Sequence, residues 1–126
     1  MKRPKILFYC GEPFLSEGIV ETLPDFDWEI VAGFFEKEDM DILKERISKE
    51  DYDIFITSNT GMGAYTALKQ ICLLPEKRRF KAIYISGYVD QKIVDTCKEK
   101  DVVLVPMPFE LEEFNILIRH SVQERR

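Results

Sequence analysis

The side chains able to do chemistry gather in a few short stretches. Cys10 closes the apolar run Lys5–Cys10 and opens the turn Gly11-Glu12-Pro13. A thiol there could act as a phosphotransfer nucleophile if a cation or a helix end lowered its pKa. Glu12 brings the wrong charge, the turn holds no Arg, and Pro13 has no N–H to offer an anion. An inert, partly buried thiol is therefore expected. Ser58-Asn59-Thr60-Gly61-Met62-Gly63 follows a second strand-like run. Backbone amides and hydroxyls ahead of a helix can bind phosphate or a nucleotide. The simpler expectation is a tight turn whose glycines supply positive φ. Ser58 as a nucleophile would need a general base, and the only histidine, His120, lies deep in the last helical segment. His120 has no Cys, Asp or His at ligand spacing, so a helix-surface position is expected and no metal or cofactor site is proposed from it. Lys77, Arg78, Arg79 and Lys81 form a basic cluster at the opposite end of the predicted sheet, expected to be a solvated loop.

The elements that must position these residues alternate. Lys5–Cys10 is continuously apolar, as a strand buried on both faces should be. Pro13 suits a first helical position, and Phe14, Leu15, Ile19 and Leu23 recur at helical spacing until Pro24. Trp28–Phe34 reads as a second strand, so core packing accounts for Trp28 and the Phe34-Phe35 pair. The acids Glu36, Glu38, Asp39 and Asp41 suit the positive end of the next helix, whose inner stripe is Met40, Leu43 and Ile47. Asp53–Ser58 is a third strand; Tyr65, Leu68, Ile71 and Cys72 mark a third helix that Pro75 ends. Phe80–Ser86 and Val102–Val105 are the remaining strands. Ile93, Val94 and Cys97 outline a fourth helix, and Leu111, Phe114, Leu117, Ile118 and Val122 a fifth. Such alternation requires parallel strands with helices on both faces. The simplest arrangement is an α/β doubly wound, five-stranded parallel sheet of flavodoxin-like order 2-1-3-4-5. Its functional edge would be the carboxyl ends of the strands, at Cys10-Gly11-Glu12, Ser58-Asn59, Ser86-Gly87 and Pro106-Met107-Pro108.

Composition narrows the function classes. The chain has 126 residues, 45% of them hydrophobic and 33% charged, which suits one globular domain over residues 1–126. A net charge of −5 disfavours non-specific nucleic-acid binding. No apolar run is long enough to span a membrane, so no membrane association is expected. Cys10, Cys72 and Cys97 are odd in number and show no CxxC spacing, which points to reduced thiols and a cytoplasmic location.

Several stretches resemble the receiver domain of bacterial two-component response regulators. Glu12-Pro13-Phe14-Leu15-Ser16-Glu17-Gly18 is similar to the first turn of NarL/FixJ-type receivers. Tyr52–Ser58 is similar to the strand that ends in the family's phosphoacceptor aspartate. Ile83-Tyr84-Ile85-Ser86-Gly87-Tyr88 resembles the fourth strand with its terminal hydroxyl residue, and Met107-Pro108-Phe109 the Lys-Pro-Phe turn before the last helix. Matched position by position, the acidic metal pair falls on Cys10 and Gly11, the phosphoacceptor on Ser58, the pocket lysine on Met107 and the switch aromatic on Leu104. Ser86 alone keeps the family's side chain. Magnesium takes hard oxygen ligands; the Cys10 thiol and Gly11 supply none, and Glu12 alone remains nearby.

The resemblance implies an atypical receiver of phosphorelay signalling, not an enzyme. It would lack the phosphoacceptor and the magnesium site, need no cofactor, and act through protein contacts. The implied face, for a protein partner or homodimer, is that of the fourth helix, fifth strand and fifth helix, from Gln91 to Lys100 and Leu111 to Val122. Regulation of transcription would require an output domain beyond Arg126. The alternatives are a phosphate- or nucleotide-binding flavodoxin-like domain using Asn59–Gly63, and last a Cys10-dependent phosphotransfer enzyme.

Overall fold

The computed structural model describes residues 3–10, 13–32, 37–49, 52–59 and 65–125. Five strands and five helices follow one another in strict alternation: β1 Lys5–Cys10, α1 Pro13–Thr22, β2 Asp27–Ala32, α2 Lys37–Lys49, β3 Ile54–Ser58, α3 Thr66–Cys72, β4 Lys81–Ser86, α4 Gln91–Glu99, β5 Val102–Pro106 and α5 Leu111–Arg125. All neighbouring strands are parallel, in the order β2-β1-β3-β4-β5. This is the doubly wound sheet the alternation predicts, and each crossover carries a helix back over one face.

Strand alternation divides the core into two layers. Ile6, Phe8, Ile54, Ile56, Ile83 and Ile85 pack against α1 and α5 through Ile19, Leu23, Phe114 and Ile118. Leu7, Tyr9, Phe55, Ala82 and Tyr84 pack against α2, α3 and α4 through Leu43, Ile47, Leu68, Ile71, Ile93 and Cys97. The three inner strands bury both faces, hence their unbroken apolar runs. At the edge, β5 alternates instead: Val102 is buried and Val103 is exposed.

Several boundaries and roles differ from the sequence expectation. β2 runs Asp27–Ala32; residues 33–36, with the Phe34-Phe35 pair, lie outside the described residues. Trp28 packs half-buried against the core beside Phe8, and its indole N–H donates to the Leu23 carbonyl at 2.8 Å. Cys72 and Leu111 are exposed rather than on the inner faces of their helices. The basic cluster is only partly a solvated loop. Arg78 lies over the Phe80 ring and donates to the carbonyls of Lys100 (2.7 Å) and Asp101, closing the turn that leaves α4. A guanidinium does this well because its fork meets two carbonyls at once.

Candidate functional site at the carboxyl edge of the sheet

β1, β3 and β4 end together, and their last residues are fully buried: Cys10, Ser58 and Ser86. Residues 11–12, including Gly11, lie outside the described residues. Cys10 belongs to the layer packed on α1 and α5 and has no exposed surface. It is more deeply buried than expected, and a thiol so placed cannot reach a substrate.

The register between β3 and β4 decides what the other two residues meet. Ser58 pairs with Ile85, so the next residue, Asn59, comes level with Ser86. Ser58 shares the parity of Ile54 and Ile56, on the α1/α5 side; Ser86 shares that of Tyr84, on the α2–α4 side. Ser58 and Ser86 thus fall on opposite faces. The partner of Ser86 is Asn59, whose side-chain amide donates to the Ser86 hydroxyl at 2.8 Å while its carbonyl oxygen accepts from the Gly87 N–H at 3.2 Å. Ser86 also accepts from the Tyr88 N–H at 3.2 Å and donates to the Tyr88 carbonyl. Beneath them, burial pushes the Tyr84 hydroxyl pKa up, and hydrogen bonds to Ser86 and Asn59 pull it partly back.

A second contact group sits above this one. Tyr65, just before α3, donates its hydroxyl to Asp90. Asp90 is the N-cap of α4, its other carboxylate oxygen accepting from the Ile93 N–H at 2.9 Å. The Tyr65 ring meets Tyr88 edge-on at 6.4 Å, and the Lys92 ammonium lies over it at 4.9 Å. The hydrogen bond to Asp90 is the main reason the Tyr65 hydroxyl is pushed up to about 12, and the same bond holds the Asp90 carboxyl below its ordinary range. Sequence reasoning missed Tyr65 and Asp90 as site residues. Asp90 was findable as a capping residue three positions ahead of the periodic Ile93; its tyrosine partner, far away in sequence, was not.

Met107 follows β5, packs partly buried against the α1/α5 layer, and donates its backbone N–H to the Ser86 carbonyl at 2.9 Å. Leu104 lies beside Tyr84 across the β4–β5 ladder and packs against the other layer. Around the β5 edge, Val103, Val105, Phe109, Phe114 and Leu117 line a groove of about 340 Å³ against α5. Among the described residues no group of three His, Cys, Asp or Glu could hold a metal ion. The Cys10 thiol and the Met107 thioether are soft donors that suit a hard divalent cation poorly. No helix among the described residues is long and apolar enough to cross a membrane. His120 is exposed on α5, as its position predicts.

No family's sequence profile matches the chain, and no curated protein sequence does. Solved structures do match it. A CheY-like response regulator receiver domain from Methanospirillum hungatei JF-1 superposes with a TM-score of 0.72 at 15% identity, covering 98% of this chain and 97% of that one. The signal receiver domain of a putative LuxO repressor protein from Vibrio parahaemolyticus gives 0.74 at 11% identity, covering 98% and 93%. The beryllofluoride-activated NtrC4 receiver domain dimer gives 0.66 at 14% identity, covering 97% and 98%. At these identities the likeness is one of fold: the chain has the fold of response-regulator receiver domains.

Proposed function

We propose that this chain is a receiver-like signalling domain that works without phosphoryl transfer, through protein contacts. The observation that carries the reading is the fill of the carboxyl edge. At the positions that the resemblance to receivers assigns to carboxylates and a cation, Cys10, Ser58 and Met107 stand, and Ser86 is bound to Asn59. Neither a hard-cation site nor a carboxylate nucleophile can be built from them. The contact face would be that of α4, β5 and α5, where Val103 is 41% exposed beside the apolar groove and Leu111 is 42% exposed at the start of α5. A receiver dimer among the structures of similar fold supports a homodimer or protein partner. That Cys10, Cys72 and Cys97 are not joined in a disulfide supports a reducing, cytoplasmic setting. The phosphate-binding alternative draws no support from Asn59, whose amide is engaged at both ends. Residues 60–64 lie outside the described residues.

The test is intact-mass analysis after incubation with acetyl phosphate and magnesium. The expected spectrum shows no phosphoryl adduct; a labile or stable adduct would overturn the reading.

A further inference from the structure

We propose that Asn59 and Tyr65 are the two tiers of one clasp, which fastens the turn between β4 and α4, and the first turn of α4, to the chain leaving β3. The inference rests on hydrogen bonds of this chain and holds whether or not the edge ever meets a phosphoryl group. The lower tier is buried: Asn59 bridges Ser86 and Gly87, and Ser86 holds both backbone groups of Tyr88. The upper tier is at the surface: the hydroxyl of Tyr65, itself 40% exposed, holds Asp90, and Asp90 caps the Ile93 N–H. Tyr88 joins the tiers, because its backbone belongs to the lower and its ring packs on Tyr65 in the upper.

Five consecutive residues, Ser86 to Asp90, are thereby held at both ends by groups from the segment after β3. An exposed tier opens more readily than a buried one. Opening it takes a partner from Asp90, the residue that caps α4. A binder that engages Tyr65 or Tyr88 would therefore be felt at the start of α4, on the flank of the proposed contact face. The clasp is a conformational device linking the sheet edge to that helix.

Amide-resolved hydrogen exchange on the full chain tests it, because the amides of Gly87, Tyr88 and Ile93 are themselves donors in the clasp. Tyr65→Phe removes one hydroxyl and keeps the ring. It is expected to speed exchange of Ile93 and also of Gly87 and Tyr88 by about 3- to 10-fold, the range for losing one hydrogen bond, beyond any change in β1. Asn59→Ala is expected to do the reciprocal, speeding Ile93 from the lower tier. Acceleration confined to the variant's own tier would overturn the clasp. So would acceleration shared equally by Leu7 and Phe8 of β1, which would mean general destabilisation. If Asn59→Ala does not fold, Tyr65→Phe decides alone, since its effect on Gly87 already crosses the tiers.

Discussion

The two ends of the sheet are held by opposite chemistry. At the amino end, permanent charges meet backbone. Arg3 donates to the carbonyls of Pro24, Asp25 and Phe26, Arg78 to those of Lys100 and Asp101, and the Lys100 ammonium to that of Leu74. Asp53 accepts from the Lys5 N–H at 2.8 Å and ties β1 to β3. At the carboxyl end a carboxamide, two hydroxyls and one capping aspartate hold the turns. The difference follows from the winding. Helices in a parallel sheet run antiparallel to the strands, so their carbonyl ends gather at the amino edge and attract cations. Their N–H ends gather at the carboxyl edge and attract acceptors such as Asp90. An edge of that kind favours anions by default, and here the chain's own acceptors occupy it.

The comparison can be broken first at its cationic end. Arg78→Ala removes the charge-assisted hydrogen bonds to Pro75, Lys100 and Asp101 and the cover over Phe80, and should cost about 2–3 kcal/mol in urea unfolding, the range for hydrogen bonds to charged groups. A loss within experimental error would mean that the turn after α4 is held without Arg78. Asn59→Ala attacks the neutral end, taking one donor from the Ser86 hydroxyl and the side-chain acceptor from the Gly87 N–H. About 1–2 kcal/mol is expected from the penalty on buried polar groups, again by urea unfolding.

Smaller effects sharpen it. Val103→Lys lies on the exposed edge of β5 and should change monomer stability by no more than about 0.5 kcal/mol, as surface substitutions do. It should nevertheless abolish self-association in sedimentation velocity if the α4–β5–α5 face is the contact surface. Association as strong as in the wild type would move the interface elsewhere.

The smallest effect is a pH dependence at the upper tier. Tyr65 has a raised pKa, so its bond contributes below the ordinary value of 10.0 and is lost as pH climbs through about 12. Asp90 has a lowered one, so its contribution is present above the ordinary aspartate value and is lost as pH falls through Asp90's own. The difference in melting temperature between wild type and Tyr65→Phe should therefore be flat near neutrality and shrink at both extremes. A difference that stays constant through both extremes would show that the hydroxyl and the carboxylate do not stabilise one another.

By itself the sequence determined the alternation and therefore the sheet. Lys5–Cys10 and Ile54–Ser58 are apolar without a break because both faces are covered, and Pro24 and Pro75 follow closely on the ends of α1 and α3. Periodicity and helix breakers are local properties, readable within a dozen residues. The residue types at the edge were legible for the same reason, since Cys10, Ser58 and Met107 close or follow strands that can be found one at a time. The tertiary structure alone decided which residues meet. Ser86 pairs with Asn59 rather than Ser58 because the β3–β4 register sets Ser58 against Ile85, and a shift of one residue exchanges the faces. Arg78 left its expected solvated loop because the turn after α4 comes within reach of its guanidinium. Tyr65 finds Asp90 only because α3 and α4 both begin at the carboxyl edge, beside adjacent strands. Those are distances between elements, and no spacing along one chain contains them.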